Sequence, residues 1–203
     1  MSFYNDQVLP RMLTMACSDK PKRKQREKIV PRAYGDVLEI GFGAGLNLPH
    51  YDRDSVRKVF GLEPSVGMRR LAADSIISSG LDVELIDAPG EDIPLDDNSV
   101  DSVLVTYTLC TIPDAVAALQ GMRRVLKPGG RLFFCEHGKA PDDDVQRWQN
   151  RLNAGWRTIA SGCNMNRDIP ALIHEGGFEI EDDNRMYLPG IRALSYNYWG
   201  AAR

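Results

Sequence analysis

Short, mostly apolar runs alternate along the chain with longer segments that mix polar and apolar residues. Such runs are typical of buried strands, and they occupy 37–40, 59–63, 83–86, 101–107 and 131–136. After Asp114, residues 115–126 place apolar side chains at helical spacing. A second helix is predicted over 65–78, with Ser65 as its N-cap and Gly80 as its stop. This alternation predicts a parallel sheet with helices on both faces.

The end of the chain has a different pattern. Residues 176–186 and 194–202 resemble two strands with no segment between them that is long enough for a crossover helix, so we expect antiparallel pairing. Residues 127–130, KPGG, predict a hard turn before the strand at 131–136. We therefore predict an α/β fold, a doubly wound, mostly parallel, Rossmann-like sheet of seven strands closed by an antiparallel C-terminal hairpin. Ligands of such sheets bind at the carboxyl ends of the strands.

Length and composition indicate one globular domain over 1–203, with 43% apolar and 26% charged residues. Within it we expect a helical N-terminal cap over 1–30 and a substrate-side insertion over 140–175. The net charge of −3 supplies no global positive field, so no nucleic-acid partner is expected. The basic segment 20–28, KPKRKQREK, is interpreted as a solvated helix face; the alternative is a patch for an acidic substrate or for a membrane surface.

The four cysteines form no C-x-x-C pair, so the sequence predicts no metal site and favours free thiols in a reducing compartment. They are Cys17, Cys110, Cys135 and Cys163. No apolar run approaches the roughly 20 residues of a membrane span. The N-terminus shows no charged start followed by an apolar block, which a secretory signal would have. We therefore expect a cytoplasmic location.

Three glycines at alternate positions follow the first predicted strand. Gly41, Gly43 and Gly45 permit a tight turn and let a ligand approach the main chain. The dinucleotide fingerprint would have a glycine at its sixth position, where this chain has Leu46, so that interpretation fails. Glu63, 22 residues beyond Gly41, ends the second predicted strand, where an acid can bind both ribose hydroxyls. An adenosine ligand is indicated, but these residues do not distinguish a nicotinamide dinucleotide from S-adenosylmethionine.

Downstream segments make that distinction through a resemblance. The ordered set of LEIGFGAG at 38–45, Glu63, GEDIPL at 90–95 and RVLKPGG at 124–130 resembles the class I S-adenosylmethionine-dependent methyltransferases, in the type 11 branch related to ubiquinone biosynthesis. The likeness runs over half the chain. The flanking segments are similar to the thiol methyltransferase group, which includes the mammalian methyltransferase-like seven proteins and bacterial relatives; they read YNDQVLPRM, GLNLPHY, EHG and WRTIASGCNMNRD. The mammalian members carry an N-terminal apolar anchor that we do not expect here.

The resemblance implies a role for each part of the glycine loop and its surroundings. Main-chain groups of Gly41 and Gly43 would face the methionine part of S-adenosylmethionine. Glu39 would help to hold its ammonium group. Thr106 and Tyr107 would lie near the sulfonium.

For the adenosine part, the resemblance implies that Glu63 binds the ribose. The adenine would meet Pro64, Met68, Gly90 and Glu91. Met68 could equally be a core residue. Many relatives have an aspartate two positions before the glutamate, where this chain has Pro89, so the adenine contact could come from Asp87, from Glu91 or from main chain alone.

The acceptor end offers few candidates for acid–base chemistry. His137 follows the fifth strand and could accept a proton at neutral pH, or could only order a loop. In the polar segment 161–168, Asn164 and Arg167 could line the acceptor pocket, whereas Asp168 could cap a following helix. Tyr4 and Trp156 could form an aromatic lid or pack in the core. Cys163 is interpreted as a small buried thiol.

The leading functional hypothesis is methyl transfer from S-adenosylmethionine to a small-molecule acceptor, with a thiol favoured. A second enzymatic hypothesis is N-methylation of a phospholipid head group. A third, of another class, is a protein that binds the cofactor without turnover. The sequence leaves the oligomeric state open.

Overall fold

A single seven-stranded sheet runs through the protein, whose computed structural model describes residues 7–203. The strand order is β3-β2-β1-β4-β5-β7-β6. The first five strands pair in parallel, whereas β7 is antiparallel to both of its neighbours. The strands are β1 (Gly35–Ile40), β2 (Val56–Leu62), β3 (Val83–Ile86), β4 (Val100–Thr106), β5 (Leu126–His137), β6 (Ile180–Tyr187) and β7 (Tyr196–Ala202). The predicted fold class is confirmed.

Within residues 7–203, seven α-helices cover the two faces and one end of the sheet. They are α1 (Leu9–Cys17), α2 (Lys20–Ile29), α3 (Val66–Ser79), α4 (Ala115–Val125), α5 (Asp143–Ile159), α6 (Ile169–Glu175) and α7 (Arg192–Ser195). Short 3₁₀ turns lie at Val30–Arg32 and Leu48–His50. Among the described helices α5 is the longest, and the sequence pattern did not predict a helix there.

The central strands, such as β1 and β4, are buried on both faces, which explains why they are largely apolar. Successive side chains of a strand point to opposite faces. Leu38 therefore joins the core under α4 and α6, whereas its neighbour Val37 joins the core under α2 and α3. In β5, Phe134 and Phe133 divide between the two cores in the same way.

The helix ends predicted from capping residues are confirmed. The Ser65 side chain accepts a hydrogen bond from the Met68 N–H, and α3 ends at Gly80, whose φ of 66° is left-handed. Asp114 caps α4 by accepting from the Ala117 N–H. Asp168 caps α6 by accepting from the Ala171 N–H.

The KPGG segment differs from its prediction as a turn before the strand. β5 already begins at Leu126, which pairs with Val100, and Arg131 then pairs with Ser102. Between these two pairs the chain moves five residues along β5 but only two along β4. Residues 127–130 therefore form a bulge inside the strand. Gly129 has a φ of 83°, which only glycine adopts without strain.

The C-terminal hairpin inserts β7 between β5 and β6, joined by the four-residue helix α7. Asn197 of β7 donates to the main-chain oxygen of Glu136 and accepts from the Tyr107 hydroxyl. The last strand therefore reaches the carboxyl ends of β4 and β5. No helix within 7–203 combines the length and the apolar character needed to cross a membrane. All four cysteines are free, as expected.

Candidate active site

A cavity of about 690 Å³ opens at the carboxyl ends of β1, β2, β4 and β5. It lies at the point where the strand order reverses between β1 and β4, which is where open α/β sheets bind ligands. Helices α1 and α2 wall one side, and the C-terminal end of α5 walls another. Of the residues predicted to bind cofactor or acceptor, eleven line it: Glu39, Gly41, Gly43, Glu63, Pro64, Met68, Gly90, Glu91, Thr106, Tyr107 and His137.

The glycines of the loop after β1 have different reasons for being glycine. All three have positive φ, between 58° and 75°. A Cβ on Gly41 would clash with the side chain of Thr108, and one on Gly45 would come within 2.8 Å of Leu48. A Cβ on Gly43 would meet nothing closer than 3.8 Å, because this glycine faces open cavity. Gly43 is therefore shaped for a ligand, whereas Gly45 is required by packing and does not line the cavity.

Glu39 is the penultimate residue of β1 and is only 1% exposed. Its carboxylate accepts hydrogen bonds from the Tyr51 hydroxyl at 2.6 Å and from the Asn47 amide at 2.9 Å. Burial raises the pKa of Glu39 from 4.5 to about 7, although both hydrogen bonds oppose the shift. A cationic ligand group beside it would favour the ionised form.

Glu63 lies directly after β2 and is held by main chain. Its carboxylate accepts from the Gly43 N–H and from the Ser65 N–H, each at 2.9 Å. Burial raises the pKa of Glu63, against these two hydrogen bonds. The carboxylate therefore has a fixed position at the cavity edge, beside the glycine loop.

The adenine-side predictions divide between the cavity and the surface. Met68 lines the cavity and takes a contact from the Thr14 hydroxyl of α1, so α1 closes this part of the site. Glu91 also lines it and accepts from the Asp114 N–H. Asp87 is 67% exposed and pairs with Arg69 at 2.7 Å. The structure therefore favours Glu91 and main chain over Asp87 as the adenine-side groups.

Thr106 and Tyr107 lie at the end of β4 and line the cavity. Thr106 accepts from the same Asn47 amide that reaches Glu39, at 3.0 Å. Tyr107 has a φ of 56°, uncommon for a residue other than glycine, and this conformation turns the chain sharply into the loop 107–113. The guanidinium of Arg26 lies 5.1 Å from the centre of its ring.

At the other end of the cavity, two cysteines and a histidine meet. Cys163 Sγ lies 3.2 Å from His137 Nε2, and the nearest ligand atoms of Cys110, His137 and Cys163 all lie within 4.8 Å of one another. The hydrogen bond from Cys110, followed by the contact with His137, lowers the pKa of Cys163. The pKa of His137 is raised because its contact with Cys163 outweighs the opposing effect of burial.

Glu136 fixes the loop after β4 from behind the cavity. One carboxylate oxygen accepts from the Thr108 N–H at 2.7 Å and from the Leu109 N–H at 3.1 Å. Burial raises the pKa of Glu136 to about 7, against these hydrogen bonds. This glutamate is a positioning residue that the sequence prediction did not include.

Two predicted acceptor-end residues, Asn164 and Arg167, do not line the cavity. Asn164 donates to the main-chain oxygens of Cys110 and Gly162. Arg167 donates to the main-chain oxygens of Leu109 and Pro113. Their polar groups are thus used to bind the loop 107–113, which corrects the prediction that they line the acceptor pocket. Tyr4 lies outside the described residues.

Comparison with known proteins identifies this arrangement. Residues 38–134 match the family described as Methyltransferase domain (Methyltransf_11). The chain is 34% identical over 171 residues to human thiol S-methyltransferase TMT1B, covering 79% of this chain and 69% of that protein. The chain belongs to the class I S-adenosylmethionine-dependent methyltransferases.

Solved structures show the same fold for this methyltransferase. A Thermotoga maritima S-adenosylmethionine-dependent methyltransferase superposes with a TM-score of 0.64 at 20% identity, covering 98% of this chain and 96% of that one. The [4+2]-cyclase SpnF superposes with a TM-score of 0.66 at 19% identity, covering 89% and 78%. At these identities the likeness establishes architecture alone, and the cyclase shows that the fold also serves other reactions.

Unpaired polar atoms indicate that the cavity of this methyltransferase is built for ligands. Among residues 7–203, five buried side-chain atoms have no hydrogen-bond partner, and four of their residues line the cavity while the fifth, Glu136, lies behind it. The four are Arg26, Asn47, His137 and Trp156. Native proteins satisfy nearly all buried polar atoms, so bound ligands are the expected partners. With the open space at Gly43 and the acids Glu39 and Glu63, the residues fit S-adenosylmethionine.

Two basic residues of this methyltransferase were missed as site residues. The segment 20–28 is not simply a solvated face, because Arg26 is 4% exposed and Lys22 also lines the cavity. Arg26 donates to the main-chain oxygen of Cys17 at the end of α1. A buried arginine cannot be recognised inside KPKRKQREK, since its neighbours have the same charge and only packing selects one of them.

Proposed function

We propose that this methyltransferase transfers the methyl group of S-adenosylmethionine to the sulfur of a small-molecule thiol. The observation that carries the proposal is one cavity that has Glu39, Gly43 and Glu63 at one end and the sulfur-rich cluster of Cys110 and Cys163 at the other. S-adenosylmethionine supplies an electrophilic methyl group on a sulfonium. The protein's own contribution is to hold cofactor and acceptor in line, which accounts for much of the rate of such a displacement.

The cofactor end has the charges that a methionine moiety requires. Glu39 offers a carboxylate to the ammonium group, and the nearby guanidinium of Arg26, with an unpaired Nε, offers a partner to the carboxylate. In this proposal the Glu63 carboxylate accepts hydrogen bonds from the ribose hydroxyls. Gly43 leaves room for the ligand against the main chain.

The lining of the cavity is largely apolar, which suits a small organic thiol better than a sugar or a charged peptide. The cavity volume lies within the usual range of about 300–1,000 Å³ for small-molecule sites. Apolar side chains that line the cavity come from four different elements or loops: Leu9, Leu13, Ile112, Pro113, Trp156 and Leu194. The similarity to a protein named thiol S-methyltransferase supports the same acceptor class.

The test is a transfer assay with methyl-labelled S-adenosylmethionine and acceptors matched in shape. Benzenethiol, phenol, aniline and phosphatidylethanolamine vesicles are compared, and label is expected in the thiol product alone. Transfer to the vesicles would instead establish head-group N-methylation. Stabilisation by S-adenosylhomocysteine in a thermal shift assay, with no transfer to any acceptor, would establish cofactor binding without turnover.

A thermal shift assay with both cofactor types tests the cofactor separately. We expect S-adenosylhomocysteine to raise the melting temperature and a nicotinamide dinucleotide to leave it unchanged. Asp87→Asn serves as the matched surface control, because its carboxylate lies outside the cavity. Stabilisation by the dinucleotide would contradict the assignment.

A further inference from the structure

The cluster of Cys110, His137 and Cys163 is assembled by tertiary structure from three distant parts of the chain. Cys110 lies in the loop after β4, His137 is the last residue of β5, and Cys163 follows α5. Each contributes one potential metal ligand atom, and these atoms lie within 4.8 Å of one another. All three residues line the cavity. The spacing in sequence gives no metal-binding motif, so the sequence alone predicted none.

Hydrogen bonds outside the cluster fix the two segments that carry the cysteines. The Asn164 N–H and its side-chain amide both donate to the main-chain oxygen of Cys110, at 2.8 and 3.0 Å. Arg167 donates to Leu109 in the same loop, and Glu136 accepts from two of that loop's N–H groups. The segments that carry the cysteines are therefore held together by the polar groups of Asn164, Arg167 and Glu136, whose hydrogen bonds go to these segments. These bonds hold the backbone that carries the cysteines, whereas the buried Nδ1 of His137 has no hydrogen-bond partner among the described residues.

The donor set fits zinc. Zn²⁺ binds thiolate at about 2.3 Å and imidazole at about 2.0–2.1 Å in a tetrahedron, which places sulfur and nitrogen ligands about 3.5 Å apart. Cys163 Sγ and His137 Nε2 are 3.2 Å apart, so a shift of a few tenths of an ångström opens them around an ion. Two thiolates and one imidazole leave a fourth position, as catalytic rather than structural zinc sites do. Because all three residues line the cavity, a fourth ligand would reach the ion from there.

We propose that Cys110, His137 and Cys163 bind one Zn²⁺ ion and that its open position takes the acceptor thiol as a thiolate. The second part rests on the proposed thiol methyltransferase function, whereas metal binding stands on the geometry of the cluster. This assignment replaces the predicted role of His137 as a general base.

The reaction balances without an oxidant or reductant. The acceptor thiol gives up its proton to solvent when its sulfur binds the ion. A lone pair of that sulfur then forms a bond to the methyl carbon, the carbon–sulfur bond of the sulfonium breaks, and its electron pair stays on the sulfur of S-adenosylhomocysteine. The product is a neutral thioether, a weaker zinc ligand than a thiolate, which favours its release.

The charges of the site are compatible with one Zn²⁺ ion and a bound acceptor thiolate. Two thiolates and Zn²⁺ sum to zero, so the resting site is buried without a net charge. A bound acceptor thiolate makes it −1, opposite the positive sulfonium. Lys22 and Arg26, which also line the cavity, add positive charge to the surroundings. A zinc-bound thiolate that shares the ion with two other thiolates keeps electron density on its sulfur and remains nucleophilic.

Metal binding is tested on the full-length protein without any turnover. Zinc is measured by mass spectrometry after desalting, and Co²⁺ is titrated into the metal-free protein to follow sulfur-to-cobalt absorption. We expect one metal ion per chain and a tetrahedral cobalt spectrum. Cys110→Ser, Cys163→Ser and His137→Gln should each lose them. Cys17→Ser is the matched control, because Cys17 lines the same cavity outside the cluster, and it should keep both.

Folding of each variant is checked by its stabilisation with S-adenosylhomocysteine, which binds at the other end of the cavity. A variant that keeps this stabilisation but loses the metal supports the proposal. A metal-free wild type, or a cobalt spectrum unchanged in Cys163→Ser, would overturn it.

The acceptor role is tested by adding benzenethiol and phenol to the cobalt protein. Benzenethiol should intensify the sulfur-to-cobalt absorption as a further sulfur binds, and phenol should not. Methyl transfer to benzenethiol should vanish when a chelator removes the metal and return with added zinc. Full transfer by the metal-free protein would overturn the zinc proposal while leaving the thiol methyltransferase function intact. Failure of transfer to every thiol would instead reject the proposed function, and the zinc measurement would still decide on the metal site.

Discussion

Glu39 and Glu63 are two buried carboxylates at the ends of neighbouring strands, and their partners differ. Glu39 is held by the side chains of Tyr51 and Asn47, whereas Glu63 is held by main-chain N–H groups. The glycine-loop motif predicts the positions of both glutamates in the sequence. It does not predict the partners of Glu39, because Asn47 and Tyr51 reach this side chain only when the segment after β1 folds.

Glu39 should make stability depend on pH. Its folded pKa of about 7 lies above the ordinary 4.5, so the native state holds an extra proton between these values. The free energy of unfolding should therefore fall as pH rises from about 4.5 to about 7 and level off above, by on the order of 3 kcal/mol for this group. Urea unfolding between pH 5 and 8 measures it, with Glu39→Gln as the comparison.

The Glu39→Gln curve should be flatter than the wild-type curve. Glu136, whose pKa burial also raises to about 7, contributes a slope to both proteins, so the difference between the curves isolates Glu39. Parallel curves would show that Glu39 does not take up a proton in the folded state.

Glu63→Gln should weaken S-adenosylhomocysteine binding. Glutamine carries no charge and can accept from only one of the two N–H groups that Glu63 now bonds, and the ribose loses its acceptor. Loss of a hydrogen bond to a charged group costs about 1.5–3 kcal/mol, or roughly 10- to 100-fold in affinity. Titration calorimetry measures it, with Asp87→Asn expected to bind like wild type. Equal losses in both variants would contradict the separate roles assigned to them.

At the scale of elements, the glycine loop combines a binding requirement with a packing requirement. Gly43→Ala adds a methyl group to open cavity, so it should reduce S-adenosylhomocysteine affinity at least about tenfold while costing about 1–2 kcal/mol for its positive φ. Gly45→Ala adds a clash with Leu48 to the same strain and should cost about 2–4 kcal/mol of stability. Titration calorimetry of both variants measures the loss of affinity, and urea unfolding measures the loss of stability. A reversed pattern would show that the ligand does not approach Gly43.

Helix α2 supplies a second matched pair. Arg26→Met should weaken S-adenosylhomocysteine binding about tenfold, because the cofactor carboxylate loses a charged donor. Arg23→Met should have no effect, since the Arg23 side chain is 58% exposed and pairs only loosely with Glu27 at 3.7 Å. Affinities are compared at low and moderate salt. Equal weakening by both variants would indicate a diffuse field of the basic segment rather than a contact of Arg26.

For the whole molecule, the insertion of β7 between β5 and β6 depends on a close backbone approach. A Cβ on Gly200 would lie 1.9 Å from the main-chain oxygen of Asp182, at the register shift of β6. The two strands could move apart there only by losing hydrogen bonds between them. Gly200→Ala should therefore cost about 3 kcal/mol or more. Gly155, exposed in α5 with nothing near its Cβ position, is the control: Gly155→Ala should stabilise by about 0.5–1 kcal/mol. Urea midpoints measure both, and a tolerated Gly200→Ala would show that this approach is not essential.

Local pattern determined the strands, most helix ends, the sheet class and the cofactor end of the cavity. These features depend on neighbours in sequence: apolar runs, the capping residues Ser65 and Asp168, and a glycine loop followed at fixed distance by Glu63. For the same reason KPGG was predicted as a turn before the strand rather than a bulge inside it, because Val100, which pairs with the preceding Leu126, lies far away in sequence. The amphipathic helix α5 was missed because its first turn is a run of acids with few apolar residues.

Only the tertiary structure decided the acceptor end. Asn164 and Arg167 have polar side chains in a polar segment, and sequence cannot distinguish a group that faces a ligand from one that bonds a neighbouring loop. Cys110, His137 and Cys163 come from three elements, and only the strand order that places β4 beside β5, with α5 returning over their ends, brings their ligand atoms together. Chemistry that depends on short-range spacing is determined by sequence, whereas chemistry that depends on contacts between distant segments exists only after folding.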